Sequence, residues 1–187
     1  MKSIDSSSSE PIAGEQELVR QAQADDENAF ARLYDAYLAR IYRYVYFRVT
    51  DDQIAEDITS QVFLKAWENL KRYQIGSSPF VSWLYRIARN AVIDHYRTHR
   101  STIALEEVTS AHADSAEDLD EQIDRHFEAR ELRLALQQLT GEQQQVLILK
   151  FIAGLSTPEI ARQMGKRQGA IRALQMRALQ SLAKTMG

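Results

Sequence analysis

An all-helical protein of two small domains is predicted by three features of the 187-residue sequence. Gly and Pro are scarce, at 7 and 3 residues. Long stretches carry apolar residues at helical rather than alternating spacing. A polar, acidic stretch without periodicity, Ser101 to Asp120, divides them and reads as a linker.

The elements follow in order. Residues 1–15 are Ser-rich, acidic and without an apolar run, which predicts a disordered tail and no secretory signal. From Glu17 to Val49, Leu18, Phe30, Leu33, Tyr34, Tyr37, Leu38, Ile41, Val45 and Val49 recur at helical spacing. Asp51-Asp52 offers an N-cap for a helix from about Gln53 to Leu70. Gly76-Ser77-Ser78-Pro79 marks a loop within Lys71 to Pro79, and a helix from Phe80 to about Thr98 follows. The first domain therefore spans 16–100, the linker 101–120 and the second domain 121–187.

The second domain opens with a helix from about Glu121 to Gln138. Two capping boxes follow: Thr140-Gly-Glu-Gln143, opening a helix through Phe151, and Ser156-Thr-Pro-Glu159, opening one that ends near Met164. Gly165 supplies a turn before a last helix from Arg167 to Thr185. A short helix, a tight glycine turn and a longer basic helix form a helix-turn-helix signature.

Charge sharpens this picture. The net charge of −3 is unpromising for a nucleic-acid binder until it is mapped along the chain. Lys71 to Arg100 holds six Lys/Arg against one Asp, and Arg162 to Gly187 holds six and no acid. Ser101 to Glu131 holds ten acids and two bases. Two basic patches are thus masked in the total by an acidic connector.

Three surfaces emerge from helical phase. On the last helix Ile171, Leu174, Ala178 and Leu182 share the packed side, while Arg172, Ala173, Met176, Arg177 and Gln180 point away. Arg forks onto guanine, and Ala or Met touches a thymine methyl, so this face suits base edges in a major groove. Lys166 and Arg167, at the helix start, suit phosphates. On the helix from Phe80, Leu84, Ile87, Ala88 and Ala91 form the core stripe; Arg86, Arg89, Asn90, Arg97 and Arg100 form a basic ridge opposite. Tyr73, Phe80 and Trp83 stand beside the loop. Aromatic faces with cations nearby are what unpaired bases require, although the same rings can equally plug a core. The third surface, on the helix from Gln53, exposes Asp57, Ser60, Gln61, Leu64 and Glu68, and a Leu among polar residues marks a protein-docking face.

Enzyme chemistry finds little support. With no Cys there is no disulfide, thiolate metal site or cysteine nucleophile. His95-Tyr-Arg-Thr-His99 has the i, i+4 spacing of a metal pair but lacks the Glu of a metalloprotease and a third ligand. No phosphate loop or nucleophile elbow is present, and no cofactor or metal is expected. No apolar run approaches the roughly 20 residues of a membrane span, so the chain is read as cytoplasmic.

Three segments, in order, resemble an extracytoplasmic-function (ECF) sigma factor of bacterial RNA polymerase: Ala55–Leu70, Ser82–Arg97, and the stretch from Leu139 through Leu179. The resemblance covers about residues 25–100 and 121–185. It implies a non-catalytic subunit that directs promoter recognition, DNA melting and transcription initiation. Asp57, Ser60, Gln61 and Leu64 would meet the clamp of core RNA polymerase. The Lys71–Pro79 loop would capture a base of the −10 element, with Arg86, Arg89, Asn90 and Arg97 holding that strand. Arg172, Ala173, Met176 and Arg177 would read the −35 element. The linker would run through the RNA channel of the polymerase, and an anti-sigma factor would restrain a chain otherwise monomeric. Many relatives carry Gln followed by an acid where this chain has Ser60-Gln61, and Ala173 stands where Ser is frequent. On the residues alone, a dimeric helix-turn-helix regulator and a protein-binding adaptor stay open; the aromatic-basic stretch Tyr73 to Arg100 argues against the first, and steep salt dependence of binding would argue against the second.

Overall fold

The computed structural model describes residues 12–103 and 120–186, with side chains described for 12–98 and 128–186. The expected tail and linker lie largely outside these residues. Within them the protein is helical throughout: α1 (Glu15–Gln23), α2 (Glu27–Tyr46), α3 (Asp52–Asn69), α4 (Phe80–Ile103), α5 (Asp120–Gln137), α6 (Gly141–Leu147), α7 (Thr157–Met164) and α8 (Gln168–Met186).

The single periodic stretch read from Glu17 to Val49 is in fact two helices. Asp25 turns the chain with a left-handed φ of 68°. The Asp26 carboxylate then caps α2, accepting from the N–H groups of Asn28 (2.9 Å) and Ala29 (3.2 Å). Those bonds satisfy donors that a helix start leaves unpaired. Asp51 caps α3 in the same way, through Gln53 and Ile54. Helix α4 continues to Ile103, into the segment assigned to the linker.

Helices α1 to α4 enclose Leu33, Tyr37, Ile41, Tyr44, Ile58, Val62, Leu84 and Ala88, all essentially without solvent contact. In the second half, the Thr140 box opens α6 as the sequence predicts. That helix does not run on as α to Phe151. It widens into a π turn, Ile148–Ile152, with the Ala153 N–H reaching back to the Ile148 carbonyl at 2.9 Å. The Ser156 N–H donates to the Glu159 carboxylate at 2.8 Å to start α7. Gly165 ends α7 at φ 65°, a left-handed conformation that favours glycine, and so aims α8 across the domain.

The two halves meet at the C-terminal end of α2, where a helix leaves carbonyls unpaired. Gln144 donates to the Phe47 carbonyl (3.1 Å), and Arg133 (2.7 Å) and Gln137 (3.0 Å) donate to that of Val49. Between them Tyr96 donates to the Arg48 carbonyl at 2.9 Å. Arg133, 5% exposed, also pairs with Asp52 and lies 3.9 Å from the centroid of the Tyr46 ring. Nearby, the Tyr44 hydroxyl and the buried Arg48 both donate to Gln145. Arg133→Ala removes the ion pair, the ring contact and one cap together. The expected loss is about 2 kcal/mol, since Gln137 still serves Val49 and Asp52 regains water. Thermal unfolding and an interdomain fluorescence distance check it: a lower midpoint with wider separation is expected.

Candidate nucleic-acid and polymerase interface

Helix α8 presents the face that helical phase predicts. Ile171, Leu174 and Ala178 are buried and Leu182 is half-buried, locking α8 against α6 and α7. Arg172, Met176 and Arg177 are exposed and Ala173 is half-exposed beside them. Met176 is 62% exposed and sets an apolar side chain among the exposed Arg172 and Arg177. Arg167 is exposed at the helix start, whereas Lys166 is half-buried and paired with Glu142 at 2.9 Å. A phosphate contact by Lys166 therefore competes with a carboxylate, which makes Arg167 the readier anion ligand.

The second surface lies between α3 and α4. A polar cleft of about 430 Å³ is lined by Lys65, Asn69, Arg72, Trp83, Asn90 and Asp94, among others. Arg86 and Arg97 are exposed one turn away along α4, and Arg97 pairs with Asp94 at 3.2 Å. Arg89 is half-buried. The three aromatics part company here. Phe80 (1% exposed) and Tyr73 (7%) belong to the core, and Trp83 alone keeps part of its ring at the surface. Their rings touch, with centroids 5.1 to 5.4 Å apart, so the buried pair backs Trp83. Burial pushes the Tyr73 hydroxyl up to about 12, which keeps it neutral as it donates to the Ser78 carbonyl across the loop. Lys65 and Asn69 were not singled out from the sequence; they join the site because α3 packs against α4, whereas Arg72 belongs to the expected basic patch and loop. Side chains at His99 and Arg100 lie outside the described residues, and no cluster of metal-ligating groups occurs among those described.

The third surface is on α3. Asp57, Ser60, Gln61 and Leu64 are all exposed, Leu64 by 58%. Beside them runs an apolar groove of about 450 Å³, walled by Phe30, Tyr34, Ser60, Phe63, Leu64 and Trp67. Phe30 packs on Trp67 at 4.8 Å and Tyr34 on Phe63 at 4.6 Å between centroids. The α2 side of this groove was not anticipated, because Phe30 and Tyr34 read simply as core positions.

A helical first domain with a basic aromatic cleft, joined to a helix-turn-helix domain, is the architecture of a sigma-type transcription initiation factor. Family models match accordingly: sigma-70 region 2 over residues 33–102 and sigma-70 region 4 over residues 129–182. The chain is 38% identical over 174 residues to the ECF RNA polymerase sigma factor BldN of Streptomyces coelicolor, covering 91% of this chain and 65% of that relative's length. It is 30% identical over 166 residues to SigX of Bacillus subtilis, covering 86% and 84%. The chain belongs to the ECF RNA polymerase sigma factors. Among solved structures, it resembles CnrH in complex with the cytosolic domain of CnrY at a TM-score of 0.71 and 22% identity, covering 92% of this chain and 96% of that one. It also resembles RpoE in complex with the anti-sigma factor NepR from Bartonella quintana, with TM-score 0.66, 22% identity and coverage of 84% and 96%. At that identity the likeness concerns the fold. As a sigma factor, the protein initiates transcription without catalysing a reaction itself.

Proposed function

We propose that the chain docks on core RNA polymerase through Asp57, Ser60, Gln61 and Leu64 on α3. The Lys71–Pro79 loop and the α3–α4 cleft then take up the unpaired −10 strand. Trp83 offers the stacking face, Tyr73 and Phe80 support it from behind, and Arg86, Arg89, Asn90 and Arg97 serve the backbone. Arg172, Ala173, Met176 and Arg177 read the −35 duplex, with Lys166 and Arg167 on its phosphates. Residues 16–100 and 121–187 are the two working domains, joined by the acidic 101–120 segment. Outside the polymerase the chain is a monomer, restrained by an anti-sigma factor and acting in the cytoplasm. Among the described residues no helix is long and apolar enough to cross a membrane.

One observation supports this most: separate exposed surfaces of different chemistry occupy one chain. One is apolar and acidic on α3, one aromatic and basic on α4, and one basic with an exposed Met on α8. A duplex-only regulator needs the third alone. Capturing unpaired bases drives melting without nucleotide hydrolysis. A fluorescent base analogue in the −10 region tests this. Its signal rises on strand opening when core polymerase and this protein are both present. No rise, with core binding intact, would overturn the melting role.

A further inference from the structure

Helix α1 precedes the region 2 match, and no role follows for it from the surfaces above. Yet three residues in and just beyond it, Glu15, Gln23 and Asp25, bond to the segment that runs from the end of α3 to the start of α4. The Gln23 amide donates to two carbonyls where the loop begins, Leu70 at 2.9 Å and Tyr73 at 2.8 Å. Where the loop ends, the Glu15 carboxylate accepts from the Phe80 N–H, the first residue of α4, at 3.2 Å. Just beyond α1, Asp25 pairs with Lys71 at 2.8 Å. Glu15 is 7% exposed and also accepts from the hydroxyl of the fully buried Tyr37. A buried carboxylate at such a place is expensive unless its partners are fixed. Here they are the start of α4 and a core tyrosine. The loop between is crossed by the Tyr73–Ser78 contact and turns at Gly76, φ 86°.

We propose that α1 is a positioning element for single-strand capture, with Glu15 and Gln23 holding the two ends of the 73–79 loop so that it and Trp83 meet an unpaired strand in one preset geometry. This rests on the reading of that loop as the −10 site. Neither residue touches DNA; each acts by sparing the loop the entropy of ordering itself on binding.

The test uses full-length protein assembled with core polymerase. The probe is a single-stranded oligonucleotide carrying the non-template −10 region of a promoter the holoenzyme transcribes. Gln23→Ala should weaken probe binding about tenfold, while core affinity and discrimination for the −35 duplex stay within about twofold. Glu15→Ala should act likewise, with partial recovery in Glu15→Gln, whose amide oxygen still accepts from Phe80. Trp83→Ala is the control. If it loses the probe while Gln23→Ala and Glu15→Ala bind as wild type, the role of α1 is overturned and the loop reading stands. If Trp83→Ala binds unchanged, the loop reading fails and takes this inference with it. Equal losses in probe, core and −35 binding would reduce α1 to a stabilising helix and overturn the proposal.

Discussion

Leu64→Glu lowers affinity for core polymerase about a hundredfold and leaves the helical content of the free protein unchanged. Leu64 is 58% exposed, so the free chain tolerates a carboxylate there. In the docked state the same carboxylate would be taken from water beside Phe63 and Trp67, which line the groove with it. An unpaired carboxylate buried at an interface costs about 3 kcal/mol or more, and each 1.4 kcal/mol is a factor of about ten. Asp57 adds like-charge repulsion from one side. Equilibrium binding to labelled core measures the loss. Unchanged affinity would refute α3 as the docking face. Ser60→Ala, an exposed change on the same helix that adds no charge, should cost less than tenfold.

Arg172→Ala and Arg177→Ala each reduce use of the −35 element by about ten- to a hundredfold, the worth of one bidentate base contact. Core affinity should stay as in the wild type, because Arg172 and Arg177 are on α8 whereas the proposed docking face is on α3. A distinction between base and phosphate contacts follows. Loss of a base contact relaxes preference at one promoter position, whereas Arg167→Ala should weaken all sequences alike and flatten the salt dependence by about one counterion. Promoters with intact and altered −35 elements separate the two. Equal loss of core and −35 binding in Arg172→Ala would sink the assignment of α8 as reader.

Much of this was legible in the sequence where the signal is local. Asp51, Thr140, Ser156 and Gly165 punctuate helices through bonds to their own neighbours, so their spacing carries the information. The exposed faces of α3 and α8 follow from helical phase alone, and Leu64 and Met176 stand out because an apolar residue there breaks the pattern. What escaped depends on partners far along the chain. Asp25-Asp26 ends one helix and caps the next, but continuous periodicity around it concealed the break. For Tyr73 and Phe80 the sequence left a stacking role and a core role open; contacts with Tyr37 and Trp83 bury Phe80. Arg133 and Gln145 meet the end of α2 across 84 and 97 to 101 residues of sequence, and no local pattern announces such contacts. Glu15 fell at the end of the expected tail and Gln23 was not singled out, for the same reason: their partners lie 22 to 65 residues further along the chain.

The central claim is that this chain confers promoter choice on a polymerase. Run-off transcription tests it most directly, with this protein and sigma-free core from its own organism on a genomic promoter library. Discrete transcripts that depend on the protein and share paired upstream elements are predicted. Absence of such transcripts from a preparation that binds that core would contradict the account.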